Sequence, residues 1–196
     1  MTPVGILLAA GRGSRFDPSG ARNKLLELLP CGEPVVARSA RHLLAAMPRV
    51  VAVVGPHSGD VVHVLRTLGC EVIICDEAGQ GMAASLVHAI RHSLPDAQAW
   101  IVALGDMPFV RPATIEALGA ALSSGADIAA PVFKGRRGNP VGFSQTHLAA
   151  LLALQGDQGA RAILQANPVT QVEVDDPGVV EDIDEQADLS RGRDSR

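Results

Sequence analysis

Val4-Gly5-Ile6-Leu7-Leu8-Ala9-Ala10-Gly11-Arg12-Gly13-Ser14-Arg15 opens the chain with an apolar run that passes straight into a glycine loop. A run that is apolar at successive positions, not alternate ones, belongs to a strand covered on both faces, and such strands are found in parallel sheets flanked by helices. The same rhythm continues outward. Strands are predicted at 4–10, 50–54, 71–75, 99–104 and 127–132, and helices at 34–46, 58–68, 82–93 and 112–123. This βα alternation predicts an α/β fold of three layers, α/β/α, with a mostly parallel sheet. After Lys134 the pattern changes to a Gly135-Arg136-Arg137-Gly138-Asn139-Pro140 loop, a short strand at 141–143 and helices near 146–154 and 159–166. That stretch has too little apolar material for its own core, so it reads as a small antiparallel insertion over the ligand edge of the sheet.

A length of 196 residues suits one domain, expected to span 1–190, with 191–196 as a disordered tail that has nothing to bury. The net charge of -4 and pI near 5.8 argue against nucleic acid or an anionic membrane as partner, since phosphate affinity comes from clustered Lys and Arg. One Trp, four Phe and no Tyr leave no platform for stacking bases. No apolar stretch approaches the ~18 residues of a membrane span, and 4–10 lacks the basic start of a signal peptide, so the expected location is the cytoplasm. Cys70 and Cys75 stand an odd number of residues apart in a strand-like run, which points them to opposite faces. With Cys31 they read as buried small hydrophobes in a reducing compartment. The acidic run at 173–188 reads as a solvated face.

The loop after the first strand sits where an α/β sheet places its ligand, at a strand's carboxyl end. Gly11 and Gly13 let backbone N–H groups approach an anion, Arg15 offers a planar fork to phosphate oxygens, and Lys24 a mobile point charge. A dinucleotide fingerprint fails because Phe16 stands where it needs Gly, and the Walker pattern fails because no Gly-Lys-Ser/Thr follows. His88 and His92 have a spacing able to hold zinc, but the sequence supplies no evident third ligand.

Leu8-Ala9-Ala10-Gly11-x-Gly13-Ser14-Arg15, Asn23-Lys24-Leu25-Leu26, Gly81-Met82-x-x-Ser85-Leu86, Gly105-Asp106-Met107-Pro108, Gly138-Asn139-Pro140-Val141, Gly156-Asp157-x-Gly159-Ala160-Arg161 and Asp182-Ile183-Asp184, in this order, resemble the MobA-like nucleotidyltransferases, and among them the molybdenum cofactor cytidylyltransferases. The likeness runs from about Val4 to Leu189. It departs in two places. The connection from Arg15 to Lys24 is longer than the family's short turn, and Asp184-Glu185-Gln186-Ala187-Asp188-Leu189 lacks the usual Thr-Pro helix start.

The resemblance implies a Rossmann-like nucleotidyltransferase fold and an Mg²⁺-dependent transfer of CMP from CTP to the phosphate of molybdopterin, releasing pyrophosphate. The product would go to a molybdoenzyme or its chaperone. Such chemistry needs positioning and cations, because charge accumulates around the α-phosphorus. In the resembling enzymes the backbone of Leu8, Ala9, Ala10 and Gly11 with Gly13, Ser14, Gly81 and Ser85 holds the nucleotide, and Arg15 and Lys24 hold the phosphates. Asp106 binds the metal with an Asx residue near the C-terminus, which Asp184 or equally Asp182 matches. Ala10 in the Leu-Ala-x-Gly motif resembles CTP users more than GTP users. Arg136, Arg137 and Asn139 are candidates for holding a phosphorylated acceptor.

Local explanations stand beside these. Gly81 and Ser85 also suit a turn and a helix start, Asp157 and Arg161 a helix-surface ion pair, and 136–139 a hydrated loop. Two other functions fit the same residues. One is GTP or another NTP with a different acceptor such as a sugar 1-phosphate, and the other is a cofactor-binding carrier without catalysis.

Overall fold

A computed structural model describes residues 3–193 apart from 12, 14, 20, 21, 95 and 158, with only the backbone described at 191–193. The order of elements is β1 (Val4–Leu8), α1 (Val35–Ala46), β2 (Val50–Val54), α2 (Gly59–Thr67), β3 (Glu71–Ile74), α3 (Met82–Ser93), β4 (Ala99–Leu104), α4 (Pro112–Ser123), β5 (Ile128–Phe133), β6 (Arg136–Arg137), β7 (Val141–Ser144), α5 (Leu148–Leu152), α6 (Arg161–Ala166) and β8 (Thr170–Glu173). The sheet runs β3-β2-β1-β4-β7-β5-β6, and β8 pairs with β5. β3, β2, β1 and β4 are mutually parallel, β8 is parallel to β5, and β7 runs antiparallel to both β4 and β5.

Alternate side chains of each central strand enter opposite layers, as the pleat requires. Leu7, Ala52, Val54 and Ile101 join Val36, Ala40 and Leu43 of α1, Val61 and Leu65 of α2, and Ile115, Leu118 and Leu122 of α4. Ile6, Val51, Val53, Trp100 and Val102 join Leu86, Ala89 and Ile90 of α3, Leu151 of α5 and Ile163 of α6. The helix contributions recur at three- and four-residue intervals, which is the apolar stripe of a helix lying on a sheet. Trp100, the largest buried side chain, satisfies its indole by donating to Ser93 Oγ at 2.8 Å, and Ser93 donates in turn to the Ile90 carbonyl.

The predicted three-layer α/β architecture is the observed one, but the stretch after Lys134 needs correction. β7 is not an insertion over an edge: it lies inside the sheet between β4 and β5. Val141 and Phe143 fill the α3 layer, while Gly142 leaves room on the other face for Leu122, whose Cδ1 would stand 2.9 Å from any Cβ there. The predicted helix at 146–154 is a 3₁₀ turn, Gln145–His147, followed by α5. β6 and β8 were not expected from the sequence. The acidic run is not simply a solvated face either. Asp176 and Asp188 are buried as hydrogen-bond acceptors, and Val179 and Ile183 are core residues. Residues 186–193, partly assigned to a tail, form a 3₁₀ helix, Gln186–Arg193.

Cys70 and Cys75 do enter opposite layers. Burial pushes the Cys70 thiol up to about 11. Cys31 is exposed, contrary to a reading of all three as buried. No helix among the described residues is long and apolar enough to cross a membrane.

The chain winds from β1 to β2 to β3 in one direction and then returns to lay β4 on the other flank of β1. The crevice at the carboxyl ends of β1 and β4 is therefore the point where the winding reverses, the usual ligand position in such sheets.

Candidate active site

That reversal sets the loop after β1 beside the turn after β4. The Gly105 N–H donates to the Leu8 carbonyl at 2.9 Å, and a Cβ at 105 would press on Leu8 and Ala9 at 3.1–3.3 Å, so glycine lets the two strand ends touch. Asp106 follows immediately and turns its carboxylate into the crevice. Leu8, Ala9, Ala10 and Gly11 line a cavity of about 350 Å³ together with Gly81, Ser85 and Asp106. The structure brings Leu8, Ala9, Ala10, Gly11, Gly81 and Ser85 of the predicted nucleotide-holding residues to this lining, whereas Gly13, Arg15 and Lys24 lie beyond it, and Ser14 falls outside the described residues.

The longer connection from Arg15 to Lys24 is folded around Asp17. Its carboxylate accepts from Ser19 N, Ser19 Oγ and Arg22 N at 2.9, 2.6 and 2.8 Å. Arg22 pairs with Glu27 and lies over the Phe16 ring, 5.6 Å from its centroid, and Phe16 packs with Leu29, Val35 and Ile183. Phe16 therefore anchors the loop where a dinucleotide fold would have placed glycine. Asn23 caps the following 3₁₀ turn, Lys24–Leu26, by accepting from Leu25 N, and this aims Lys24 inward.

Lys24 is buried, and its ammonium donates to Asp106 Oδ2 at 2.7 Å and reaches Asp184 Oδ1 at 3.4 Å. Arg15, whose side chain is 80% exposed, donates to Asp184 Oδ2 at 2.5 Å. Four of the predicted residues thus form one network of two cations and two carboxylates. Asp184 is held by Asp188, whose Oδ2 accepts from the N–H groups of Asp184 and Glu185 at 2.9 and 2.8 Å. The Ile183 N–H donates to the Asp106 carbonyl at 2.9 Å, which fastens this C-terminal segment to the β4 turn.

Asp182 lies on the other side. It lines a separate hollow of about 230 Å³ with Arg136, Arg137, Gly138, Asn139, Leu104, Met107, Val179 and Val180. Burial, then the like charges of Asp184 and Asp106, push its carboxyl above the ordinary range. Of the two alternatives, Asp184 is the one in contact with Lys24. The 136–139 loop is fixed by Gly138 N and Asn139 N donating to the carbonyls of Pro131 and Val179 at 2.9 and 2.8 Å. Leu104 borders both hollows, so they open on either side of the end of β4.

The alternative readings at 81, 85 and 157 also resolve into geometry. Gly81 has φ 126°, and a Cβ there would stand 2.5 Å from both the Gly156 carbonyl and Asp157 Oδ1, so this glycine serves backbone conformation and close approach together. Ser85 is buried in the cavity wall and is no cap, because α3 begins at Met82 after Gly81 without a side-chain cap. Asp157 lines the cavity before α6 begins, and it makes no ion pair with Arg161 among the described residues. Asp157 and Asp188 were missed as site residues from the sequence. The Gly156-Asp157 motif was the available signal for the first; nothing local marked the second. His92 Nε2 donates to Glu71 Oε1 at 2.6 Å and does not face His88's neighbours Cys75 and Glu77.

Comparison with known proteins bears on the family and the fold. Residues 5–172 match the model of the MobA-like NTP transferase domain. The chain is 32% identical over 121 residues to the bifunctional protein GlmU of Chromobacterium violaceum, a match covering 61% of this chain and 26% of that protein. It thus spans about a quarter of the length of the curated relatives it matches, 26% and 27%. Rv0371c from Mycobacterium tuberculosis H37Rv superposes with a TM-score of 0.83 at 27% identity, covering 97% of this chain and 98% of that one. A manganese complex of Rv0371c superposes with a TM-score of 0.81 at 25% identity over 97% of each chain. Molybdopterin-guanine dinucleotide biosynthesis protein A from Archaeoglobus fulgidus shares the fold, with a TM-score of 0.68 at 22% identity over 96% and 95% of the two chains. With the family model covering most of its length, the chain belongs to the MobA-like NTP transferase family of nucleotidyltransferases.

Proposed function

We propose that this nucleotidyltransferase moves CMP from CTP to the terminal phosphate of molybdopterin, or of a similar phosphorylated acceptor, with release of pyrophosphate. The observation that carries the reading is the meeting of Arg15, Lys24, Asp106 and Asp184 between two hollows. One hollow suits the nucleoside and the other the acceptor. The base and ribose lie against Leu8, Ala9, Ala10, Gly81 and Ser85. Ala10 puts a methyl group where glycine would leave space, which favours a pyrimidine over the larger purine. The acceptor phosphate is held by Arg136 and Asn139, with Arg137 beside them.

The site also has the donors for a divalent ion. Asp106 and Asp184 supply hard carboxylate oxygens, and the Lys24 ammonium standing between them marks the point where the fold offers a cation two negative partners. Asp106 and Asp184 would hold Mg²⁺, which when bound neutralises phosphate charge and keeps attacking and leaving oxygens in line. The chain does the rest. Lys24 and Arg15 transfer from the carboxylates to the phosphates of the bound nucleotide, and the backbone N–H groups of Gly11 and Gly13 would meet the leaving group. Asp188 keeps Asp184 in place throughout. An acceptor phosphate oxygen attacks the α-phosphorus, the bond from that phosphorus to the bridging oxygen breaks, and pyrophosphate departs with that oxygen. No covalent enzyme intermediate is needed. The product then passes, in the cytoplasm, to a molybdoenzyme or its chaperone.

Pyrophosphate release measured with each of CTP, GTP, ATP and UTP, with Mg²⁺ and with molybdopterin or sugar 1-phosphates as acceptor, tests this. The expected result is release with CTP and molybdopterin. Release only with another pair replaces the proposed substrates, and molybdopterin binding without release under any nucleotide indicates a carrier.

A further inference from the structure

Next to the nucleotide cavity, Cys75, Glu77 and His88 bring a sulfur, a carboxylate oxygen and an imidazole nitrogen within 4.8 Å of one another. The three come from different pieces of structure. Cys75 directly follows β3, Glu77 belongs to the 3₁₀ turn Asp76–Gln80, and His88 lies on α3. Cys75 is 1% exposed, and its thiol faces Glu77 Oε2 at 3.9 Å. Glu77 is exposed and His88 half-buried, so the two lie over the sulfur from the solvent side. Among the described residues none hydrogen-bonds the His88 ring, whereas His92, one turn on, is engaged by Glu71. Glu77 and His88 also line a broad hollow of about 770 Å³ with Gln80 and Arg91, which leaves open space beside the donors.

We propose that Cys75, Glu77 and His88 form a zinc site that ties the Asp76–Gln80 turn to α3. A thiolate, an imidazole and a carboxylate are the donors zinc prefers, and Mg²⁺ rejects the sulfur. Zinc–ligand lengths of ~2.0–2.3 Å at a tetrahedral angle put donor atoms about 3.5 Å apart, so closure asks for roughly 1 Å of movement. The exposed Glu77 side chain is free to supply it. Burial raises the Cys75 thiol above its ordinary range, so the metal-free group carries a proton that zinc displaces on forming the Zn–S bond. The fourth position faces the hollow and takes water. Ala78 and Gly79 of the same turn, and Ser85 three residues before His88, line the nucleotide cavity. Ser85 is also hydrogen-bonded to Cys75. Zinc at this position therefore stiffens the wall that the base faces, apart from the oxygen-only pair Asp106 and Asp184.

The test uses the full chain carrying Cys31→Ser, stripped with chelator and held in excess Mg²⁺ so that the acidic pair is occupied. Cobalt(II) serves as the spectroscopic substitute. The expected result is a thiolate-to-cobalt charge-transfer band that saturates at a single equivalent, is erased by zinc, and is accompanied by proton release. Cys75→Ser removes the band, and His88→Ala and Glu77→Gln weaken binding by more than the ~10–100-fold that loss of an outer partner costs, while His92→Ala keeps it. Glu77 and His88 are not core residues, so their variants stay folded even if Cys75→Ser does not. Absence of the band in the parent protein, or equal binding by the His88→Ala and Glu77→Gln variants, overturns the site.

Discussion

Lys24 Nζ lies 2.7 Å from Asp106 Oδ2, across a sequence separation of 82 residues. With Asp184 Oδ1 at 3.4 Å on its other side, the ammonium occupies the point between two carboxylates where a divalent ion would be strongest bound. Its stem is buried against the glycine loop, with Cγ 3.4 Å from where a Cβ on Gly13 would be. A lysine so placed competes with a metal for the carboxylates and is released toward the phosphates when one binds. Lys24→Met should therefore lower kcat by about 10²–10³-fold while tightening binding of Mn²⁺ to the nucleotide-free protein. Manganese titration by electron paramagnetic resonance, beside steady-state rates, separates the two effects. Weaker manganese binding in the variant would contradict the competition.

Asp188 reaches the site through Asp184, whose N–H it holds together with that of Glu185. Replacing it by Ala removes the acceptor for two backbone N–H groups and should cost about 1–3 kcal/mol of stability. It should also raise the Mg²⁺ concentration needed for half-maximal rate, with saturating Mg²⁺ restoring much of the turnover. Urea unfolding and a metal titration of the rate check both parts.

At Gly81 a side chain meets two obstacles, a φ of 126° and the Gly156 carbonyl 2.5 Å from the Cβ position. Gly81→Ala should destabilise by about 1–3 kcal/mol and push the 156–157 segment away from the cavity, weakening nucleotide binding. Gly125→Ala serves as the comparison, having a positive φ but open space around it. Its cost in stability should be smaller and its nucleotide affinity unchanged, as thermal shifts with and without CTP will report.

His42 is partly buried, with Nδ1 donating to the Val110 carbonyl at 2.7 Å, and burial outweighs that bond to depress its pKa below the ordinary histidine range. In the unfolded chain it takes a proton at higher pH than in the folded protein. Its contribution to stability is therefore complete above about pH 6.5 and is lost as pH falls from there through the depressed folded value. Denaturant midpoints at pH 7.5 and 5.5 should differ less in His42→Gln than in the wild type. An equal difference in the two proteins would show that this histidine carries no pH linkage.

The order of strands and helices up to residue 133 was legible because its strands are covered on both faces, and continuous apolar runs such as Val50–Val54 carry that signature by themselves. β7 was legible as a strand but not in its place. Only packing against Leu122 on one face and the α3 layer on the other puts it between β4 and β5. β8, Thr170–Glu173, has mostly exposed side chains and no apolar run to announce it. In the candidate site, Arg15, Lys24 and Asp106 each stand in a short local motif. Asp188 does not, because its part comes from hydrogen bonds within an acidic stretch that composition alone describes as solvated. Asp157 was ambiguous for a related reason, since the i, i+4 spacing to Arg161 implies a helix that in fact starts only after it.

The central claim is that Asp106 belongs to the reacting centre of a CTP-dependent nucleotidyltransferase. Its most direct test is the rate of pyrophosphate release from CTP with Mg²⁺ and molybdopterin, compared between the wild type and Asp106→Asn, with folding of both followed by circular dichroism. A fall of about 10²–10³-fold in a folded variant is predicted; near wild-type turnover in Asp106→Asn would contradict it.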